Sequence, residues 1–296
     1  MPSLRIPAFA KVNLCLDILG RRPDGYHELR TIFQTITLHD TLDLSLTRKP
    51  GILLECSDPS LPCGRENLVW RALDSLCRAL HIRSGIHAIL YKRIPAGRGL
   101  GGGSSDAAAA LIGLLRLTRR KLSGPRLLEI ASKLGADVPF FLSGGRALGV
   151  GRGSEIYPLP DLPRRAVLVV SPASIAVPTR DAYAWVSSTL TDRRPASKIH
   201  SFCALCWSPQ WSDLSNDFEK VVFARHPRLR TIKRKLLQGG AAEAALAGSG
   251  SAVFGVFPDP AQARRTARLF LDDRALVVRT LSRKEYFRTL GWPGVF

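Results

Sequence analysis

The feature that most constrains this chain is a glycine run at residues 97–103, where five of the seven positions are glycine. Glycine adds no side chain to a core and loses the most backbone entropy on folding, so the run predicts a loop. Ser104, Ser105 and Asp106, which are helix-capping residue types, lead from it into an alanine- and leucine-rich stretch at 107–115. The loop is therefore predicted to open a helix, and the apolar residues around that helix predict that it is buried.

A glycine-rich loop that leads into a helix N-terminus favours a phosphate, because its N–H groups can approach the ligand and the helix dipole attracts negative charge. A Walker A loop needs a lysine after its glycines, and none follows here. A dinucleotide fingerprint fits Gly97, Gly99 and Gly102 but needs an acidic residue about 20 positions on. Residues 121–123 are Lys, Leu and Ser, so that motif fails. A flexible hinge remains the alternative.

Residues 95–108 resemble the signature loop of the superfamily of galactose, homoserine, mevalonate and phosphomevalonate kinases. The version at 99–106, G-L-G-G-G-S-S-D, is similar to that of the branch that phosphorylates 4-diphosphocytidyl-2-C-methyl-D-erythritol. The resemblance implies that ATP binds here, with Mg²⁺ and with the adenine near Asn67 and Lys92. From pattern alone, Asn67 is a helix cap. The loop residues implied to hold the cofactor are Pro95, Gly97, Gly99, Leu100, Gly101, Gly102, Gly103, Ser104 and Ser105.

Two further motifs concern the catalytic residues. Lys11 interrupts an apolar strand predicted for residues 4–19, and by pattern it is a snorkelling or edge residue. The stretch at 7–14 resembles the superfamily motif P-A-K-x-N-L with Phe9 as an extra residue, which implies that Lys11 and Asn13 line the substrate site. Asp137 reads by pattern as the N-cap of a helix that starts near Pro139. The resemblance of 135–145 to the family segment G-A-D-V-P-F-F-L-x-G-G implies instead that Asp137 is catalytic together with Lys11.

The sequence D-G-Y-H at 24–27 predicts a turn that leads into a strand. It also resembles the local signature of the diphosphocytidyl branch, which implies that Tyr26 and His27 contact cytosine, with Tyr183 over the same ring. An aromatic face can stack on a base, and a histidine can offer a donor or an acceptor to its edge. A second glycine-serine turn at 247–256 resembles the third motif of the superfamily, which implies that Gly248 and Ser249 close the substrate site.

A length of 296 residues allows two ordinary domains. The resemblance implies an α+β fold in two domains. Residues 1–160 would form an N-terminal domain like the second domain of ribosomal protein S5, and residues 161–296 a C-terminal ferredoxin-like domain, with the site in the cleft between them. The reaction implied is ATP-dependent phosphorylation of the 2-hydroxyl of the cytidine diphosphate substrate.

The formal net charge of +19 indicates an acidic partner or an unusual cellular setting. Polyanionic nucleotides satisfy it, and so does nucleic acid, although the basic pairs are dispersed and lack interleaved aromatics. A basic nucleic-acid-binding protein with an S5-like domain and another small-molecule kinase of the superfamily are therefore the alternatives. D-G-Y-H argues against the second.

This sequence differs from the family pattern at two positions. Arg98 stands where the loop usually has a small residue, and Ser154 stands where relatives often carry an acidic residue. Arg98 implies either a changed loop geometry or an added phosphate contact.

The first twenty residues lack a signal-peptide pattern, and no apolar stretch of 18 or more uncharged residues occurs, so we expect a cytoplasmic protein with no membrane span. The six scattered cysteines are expected to be reduced thiols. His200, Cys203 and Cys206 are spaced like metal ligands, but zinc needs about four ligands and no fourth stands nearby. No metal-ligating residue is predicted, and the sequence does not indicate an oligomeric state.

Overall fold

The computed structural model describes residues 2–188, 203, 206, 211 and 213–294. The strands form a larger and a smaller sheet. The larger sheet contains β1 (Ser3–Arg21), β2 (His27–Thr47), β3 (Ile52–Cys56), β4 (Gly85–Tyr91), β5 (Arg146–Gly151), β6 (Glu155–Pro158) and β8 (Ser215–Asn216); the smaller one contains β7 (Ala166–Pro172), β9 (Glu243–Leu246), β10 (Val253–Phe257) and β11 (Asp273–Arg279). The fold is therefore α+β in two domains, each built on its own sheet.

The helices cover the sheets and connect their strands. They are α1 (Leu68–Leu80), α2 (Gly102–Thr118), α3 (Gly124–Leu134), α4 (Val138–Ser143), α5 (Thr179–Ser187), α6 (Phe218–Arg225), α7 (Pro227–Gln238), α8 (Pro260–Ala267) and α9 (Arg283–Leu290). Within the described ranges, no helix is long and apolar enough to cross a membrane.

The larger sheet is organised by the long antiparallel pair β1 and β2. Its strand order is β3-β4-β2-β1-β8, with β5 pairing the start of β2 and β6 pairing β5. Helix α2 packs on β1 and β2, and every residue of 105–115 is buried. Small side chains allow this close approach, because a Cβ on Gly113 would lie 2.6 Å from Leu44 Cδ1. The prediction of a buried helix after the glycine loop is thus confirmed.

The start of α2 differs from the expectation. The helix begins at Gly102, and its N-cap is Gly101, whose φ of +73° is the left-handed conformation that favours glycine. Ser104 and Ser105 therefore lie inside the first turn, and the prediction that Ser104, Ser105 or Asp106 caps the helix is wrong. The physical reason is that Gly101 makes the sharp change of chain direction three to four residues earlier than a serine cap would.

The smaller sheet is antiparallel in the order β11-β7-β10-β9. A shared apolar cluster joins it to the larger sheet, with Val12, Ile32 and Leu100 on one side and Val169 and Phe254 on the other. This cluster fixes the two sheets against each other beneath the glycine loop.

The predicted boundary at residue 160 falls between β6 and β7, but the later half of the chain also returns to the first sheet. Strand β8 pairs in parallel with β1 at Cys15 and Leu16. Helix α9 packs Tyr286 and Leu290 into the core beneath the first sheet, and the Tyr286 hydroxyl donates to the carbonyl of Phe141. Contacts from both halves of the chain therefore support the first sheet.

Candidate active site

A cavity of about 1080 Å³ opens where the glycine loop faces the smaller sheet. Every predicted site residue lines it except Ser105. Ser105 is buried in the first turn of α2, and its hydroxyl has no hydrogen-bond partner within the described part of the chain. Successive helix residues point about 100° apart, so Ser104 faces the cavity and Ser105 faces the core.

Two backbone segments that line the cavity contact each other: the phosphate loop (residues 95–101) and the closing turn (residues 247–252). Gly99 has a φ of +78°, and a Cβ built on it would lie 1.8 Å from the carbonyl oxygen of Ala247. The N–H of Ala252 donates to the carbonyl of Arg98 at 3.2 Å. The closing turn is held from below by Asn216, whose amide donates to the carbonyls of Leu246 and Gly248, each at 2.8 Å.

The N-terminus of α2 points into this space. The backbone N–H groups of the first helical turn have no partner inside their own helix, and the helix dipole places partial positive charge there. Gly102, Gly103 and Ser104 form that turn and line the cavity. The geometry suits an anion, as the loop sequence predicts.

Lys11 reaches the cavity from an irregularity in β1. The pairing with β2 shifts register between Phe9 and Lys11, and the Lys11 N–H donates instead to the carbonyl of Leu100 at 3.0 Å. Irregularities of this kind re-aim side chains next to functional sites. The predicted strand over 4–19 is confirmed as part of β1. Because the pairing is interrupted at Lys11, the backbone of Lys11 bonds to the phosphate loop instead of to β2.

The Lys11 ammonium lies between two polar partners and is 5% exposed at its side chain. It donates to Asn13 Oδ1 at 2.8 Å and lies 3.3 Å from Asp137 Oδ2. Asn13 is fixed in turn by a 2.8 Å bond to the Thr31 hydroxyl. Asp137 is the N-cap residue of α4, as its pattern predicts, but its side chain makes no capping hydrogen bond. The carboxylate, 31% exposed, is left accessible from the cavity.

A buried charge cluster supports the strand that enters the phosphate loop. Lys92 Nζ contacts Asp106 at 2.6 Å and also contacts Asp40, and Asp40 accepts the N–H groups of Arg93 and Ile94. Burial raises the pKa of Asp106, and the neighbouring charge of Asp40 adds to that shift while Lys92 opposes it. Burial alone would lower the pKa of Lys92, but the two carboxylates outweigh it and hold that pKa above its usual value.

Asn67 also lines the cavity, and its side chain caps α1. The amide oxygen accepts the N–H of Val69 at 2.9 Å, and the amide nitrogen donates to the carbonyl of Pro62 at 2.7 Å. The capping interpretation of Asn67 is confirmed.

Aromatic residues line the cavity on the side of His27 and Tyr183. The rings of His27 and Tyr183 stack with centroids 4.8 Å apart and 22° between planes, and His27 Nε2 lies 2.7 Å from the Ser187 hydroxyl. Burial lowers the pKa of His27, and the positive charge of Arg21 adds to the effect, which favours the neutral imidazole. Burial raises the pKa of Tyr183.

Tyr26 is held by charged neighbours. The guanidinium of Arg152 lies 4.0 Å from the centre of the Tyr26 ring. Arg152 also pairs with Asp24 at 2.8 Å, and Asp24 accepts the N–H of Tyr26 at 3.1 Å. The Arg152 hydrogen bond is the main cause that lowers the pKa of Asp24 to about 2. One face of the Tyr26 ring is therefore covered, and the exposed remainder borders the cavity.

Sequence reasoning missed Thr31, Arg152 and Thr179. Arg152 could have been found from the sequence, because a charged residue between two glycines, Gly151 and Gly153, is expected in a turn with its side chain exposed. Thr31 and Thr179 carried none that separates them from ordinary strand and helix residues. His200 of the suggested metal-ligand spacing lies outside the described residues.

Comparisons with known families and proteins indicate the same kinase family for both halves of the chain. Residues 67–145 match the GHMP kinases N terminal domain, and residues 202–269 match the GHMP kinases C terminal. A protein of Solibacter usitatus named 4-diphosphocytidyl-2-C-methyl-D-erythritol kinase is 46% identical over 94% of this chain and 89% of its own length. A protein of the same name from Citrifermentans bemidjiense is 41% identical over 95% of this chain and 100% of its own length.

Solved structures of related kinases also superpose on nearly the whole chain. A crystal structure of 4-(cytidine 5'-diphospho)-2C-methyl-D-erythritol kinase is 36% identical, covers 94% of this chain and 99% of its own, and superposes with a TM-score of 0.76. Homoserine kinase from Cytophaga hutchinsonii superposes with a TM-score of 0.71 over 95% of each chain. That second protein is only 19% identical, so it shows a shared fold alone.

The close approach of the phosphate loop to the closing turn can be tested with Gly99→Ala. Gly97 serves as the matched control, because it also has a positive φ of +65° but a Cβ there would meet nothing within 4 Å. Both variants carry left-handed strain of about 1–2 kcal/mol. Only Gly99→Ala must also push the two segments apart.

We expect Gly99→Ala to weaken binding of an ATP analogue at least about tenfold, since a tenfold loss needs only about 1.4 kcal/mol. Gly97→Ala should weaken it by no more than a few fold. Calorimetric titration measures both, with a circular dichroism melt to confirm folding. Equal losses in the two variants would mean that the contact with Ala247 does not shape the anion site.

Proposed function

The chain belongs to the GHMP kinase family, among its 4-diphosphocytidyl-2-C-methyl-D-erythritol kinases, and we propose that it transfers the γ-phosphoryl group of ATP to the 2-hydroxyl of 4-diphosphocytidyl-2-C-methyl-D-erythritol. The observation that carries the proposal is one cavity that is lined by the phosphate loop, by the aromatic rings of Tyr26, His27 and Tyr183, and by the Lys11–Asp137 pair. Each group suits one part of the two substrates: the loop suits the phosphates of ATP, the Lys11–Asp137 pair the attacking alcohol, and the rings the cytosine.

ATP occupies the loop side of the cavity. Its phosphates lie on the N–H groups of the phosphate loop and of the first turn of α2, which attract anions. Its adenine lies between the wall formed by Asn67 and the strand segment at Lys92. The ammonium of Lys92 is already committed to Asp40 and Asp106, so we assign Lys92 the role of shaping this wall through its side-chain stem.

Mg²⁺ fits the residues present. The ion is usually held by one or two protein oxygens, with phosphate oxygens and water completing its octahedron. Ser104 would hold it, because its hydroxyl lines the cavity at the start of α2 while Ser105 is buried. When bound, Mg²⁺ neutralises charge on the transferring phosphates.

Lys11 and Asp137 act on the attacking alcohol. The Asp137 carboxylate is accessible from the cavity and can accept a hydrogen bond from the 2-hydroxyl, orient it, and take its proton. An aspartate is a weak base towards an alcohol, so proton transfer is late, after most of the bond to the leaving phosphate has broken. Lys11 holds the carboxylate in place and stabilises negative charge that develops on the transferring group. Positioning therefore supplies much of the acceleration.

The cytidine moiety occupies the aromatic end. Tyr26 and Tyr183 offer ring faces to the base, and neutral His27 can present either a donor or an acceptor nitrogen to its edge. Gly248 and Ser249 lie beside the reacting region, and the Ser249 hydroxyl is 3.0 Å from that of Thr179 at the start of α5. These contacts support a pocket that reads cytosine by polar complementarity.

The smaller sheet supports a ferredoxin-like label for the domain at 161–296. Helices stand between β7 and β9 and between β10 and β11, and the strands lie in the order β11-β7-β10-β9. This is a βαββαβ arrangement. The label of an S5-like second domain for residues 1–160 rests on the family likeness, with α9 packed against it from the end of the chain.

The net charge of +19 is the feature that favours the alternative of a nucleic-acid-binding protein. Arginines at the cavity rim, Arg21, Arg152 and Arg180, suit the polyanionic substrates of a kinase equally well. A wild-type protein that does not bind the cytidine substrate but binds RNA in a salt-dependent way would favour the nucleic-acid-binding function.

Asp137→Asn should lower kcat by about 10²- to 10⁴-fold, because the nearly isosteric amide keeps the shape but cannot accept the proton. The Kd of the cytidine substrate should stay within a few fold. Lys11→Met should cause a similar loss, and the double variant should lose little more than either single one, since residues that act as a unit are not additive. Steady-state turnover and equilibrium binding measure these effects.

Glu129→Gln is the matched control, because it removes another lysine–carboxylate pair, Glu129 with Lys133, on an exposed helix face. It should leave kcat unchanged. A near-normal kcat in Asp137→Asn would remove Asp137 from the mechanism.

His27→Ala should abolish the preference for the cytidine substrate over its uridine analogue, because a pocket discriminates by leaving buried polar groups of the wrong ligand unpaired. The lowered pKa of His27 also predicts that wild-type affinity is constant above the ordinary histidine value of 6.5 and falls only in more acidic solution, as the imidazole gains a proton. Competition binding at several pH values measures both effects.

His87→Ala is the control, since His87 pairs with Glu55 on the far edge of the sheet and does not line the cavity. Full discrimination in His27→Ala would show that the base is read elsewhere.

A further inference from the structure

Arg98 departs from the usual small residue of the family loop; it lines the cavity, and its guanidinium is bonded to protein groups. Its Nη1 donates to the Ser251 hydroxyl at 2.8 Å, and its Nη2 donates to the carbonyl of Ala173 at 3.2 Å. Ser251 is fully buried and passes its own hydrogen on to the carbonyl of Ile175 at 2.6 Å. One guanidinium thus connects the phosphate loop to the closing turn and to the approach segment (residues 173–178).

The approach segment leads directly into α5. That helix begins at Thr179, whose hydroxyl contacts Ser249 of the closing turn, and it carries Tyr183, whose ring stacks on His27. A continuous set of contacts therefore runs from the loop that receives the ATP phosphates to the rings that receive cytosine. Such contacts couple two binding sites when both sites favour the same one of two arrangements of a structural element that they share.

We propose that Arg98 is a positioning residue that couples the two substrates, so that a nucleotide on the phosphate loop fixes the approach segment and α5 in the arrangement that binds the cytidine moiety. The proposal rests on the function proposed above. By linkage the coupling is reciprocal, and the cytidine substrate tightens the nucleotide by the same factor. Neither effect requires Arg98 to touch a substrate.

The alternative is that Arg98 is an ordinary cross-link that only stabilises the fold. The chain offers a matched control for this, because Arg274 Nη2 donates to the carbonyl of Arg93 at 2.8 Å and also joins the smaller sheet to the N-terminal domain. Arg274 does not line the cavity. Arg98→Met and Arg274→Met each remove an arginine–carbonyl bond between the domains, and only the first also breaks the contact with the closing turn.

The test measures the Kd of 4-diphosphocytidyl-2-C-methyl-D-erythritol by calorimetry, with and without saturating Mg²⁺ and the non-hydrolysable analogue AMP-PNP. For the wild-type protein we expect the analogue to tighten this Kd at least about fivefold, the low end of typical couplings. In Arg98→Met the ratio should fall to within about twofold of one, while the Kd of each ligand alone changes only a few fold. Arg274→Met should keep the wild-type ratio.

Two further variants keep the outcome interpretable. Arg98→Lys retains the charge but not the two-pronged donor geometry, so its ratio should be intermediate. Ser251→Ala should reduce the ratio, and its combination with Arg98→Met should reduce it no further. A wild-type ratio near one, a wild-type ratio retained in Arg98→Met, or an equal loss in Arg274→Met would overturn the proposal. Failure of the wild-type protein to bind the cytidine compound at all would overturn the proposed function as well.

Discussion

The site depends on the contact between the backbones of Gly99 and Ala247. The phosphate loop and the closing turn approach so closely there that a single Cβ would overlap a carbonyl oxygen. The contact is possible because glycine adopts positive φ without a steric penalty. It brings the N-terminus of α2, where we place the phosphates, next to a turn from the other domain, so each domain supplies one side of the proposed site.

The pair of Lys11 and Asp137, to which we assign the catalytic role, is placed by the same loop. Lys11 donates its backbone N–H to Leu100 because the ladder between β1 and β2 is interrupted at that point. Its side chain then lies between Asn13 and Asp137, at the inner wall of the cavity. A change in the loop is therefore expected to move the lysine, and through it the carboxylate. The geometry of the loop and that of the proposed catalytic pair are therefore linked in this fold.

The sequence predicted the elements near its motifs because those signals are local. The glycine run, the buried helix and the segment ahead of α4 each follow from residues close together in the chain. The directions of Ser104 and Ser105 could not be predicted, since they depend on the residue at which α2 begins. The partners of Lys92 and Arg98 could not be predicted either. Asp40 and Ser251 lie 52 and 153 residues away from them, and tertiary packing alone brings them into contact.

The most direct test of the account is the fate of the γ-phosphorus of ATP, followed by phosphorus NMR in a mixture of the protein, Mg²⁺, ATP and 4-diphosphocytidyl-2-C-methyl-D-erythritol. The account predicts that the γ-phosphate signal of ATP is replaced, one for one, by a phosphomonoester signal on the cytidine compound, whose diphosphate signals persist. Release of inorganic phosphate without that monoester, or an ATP signal that does not change, would contradict it.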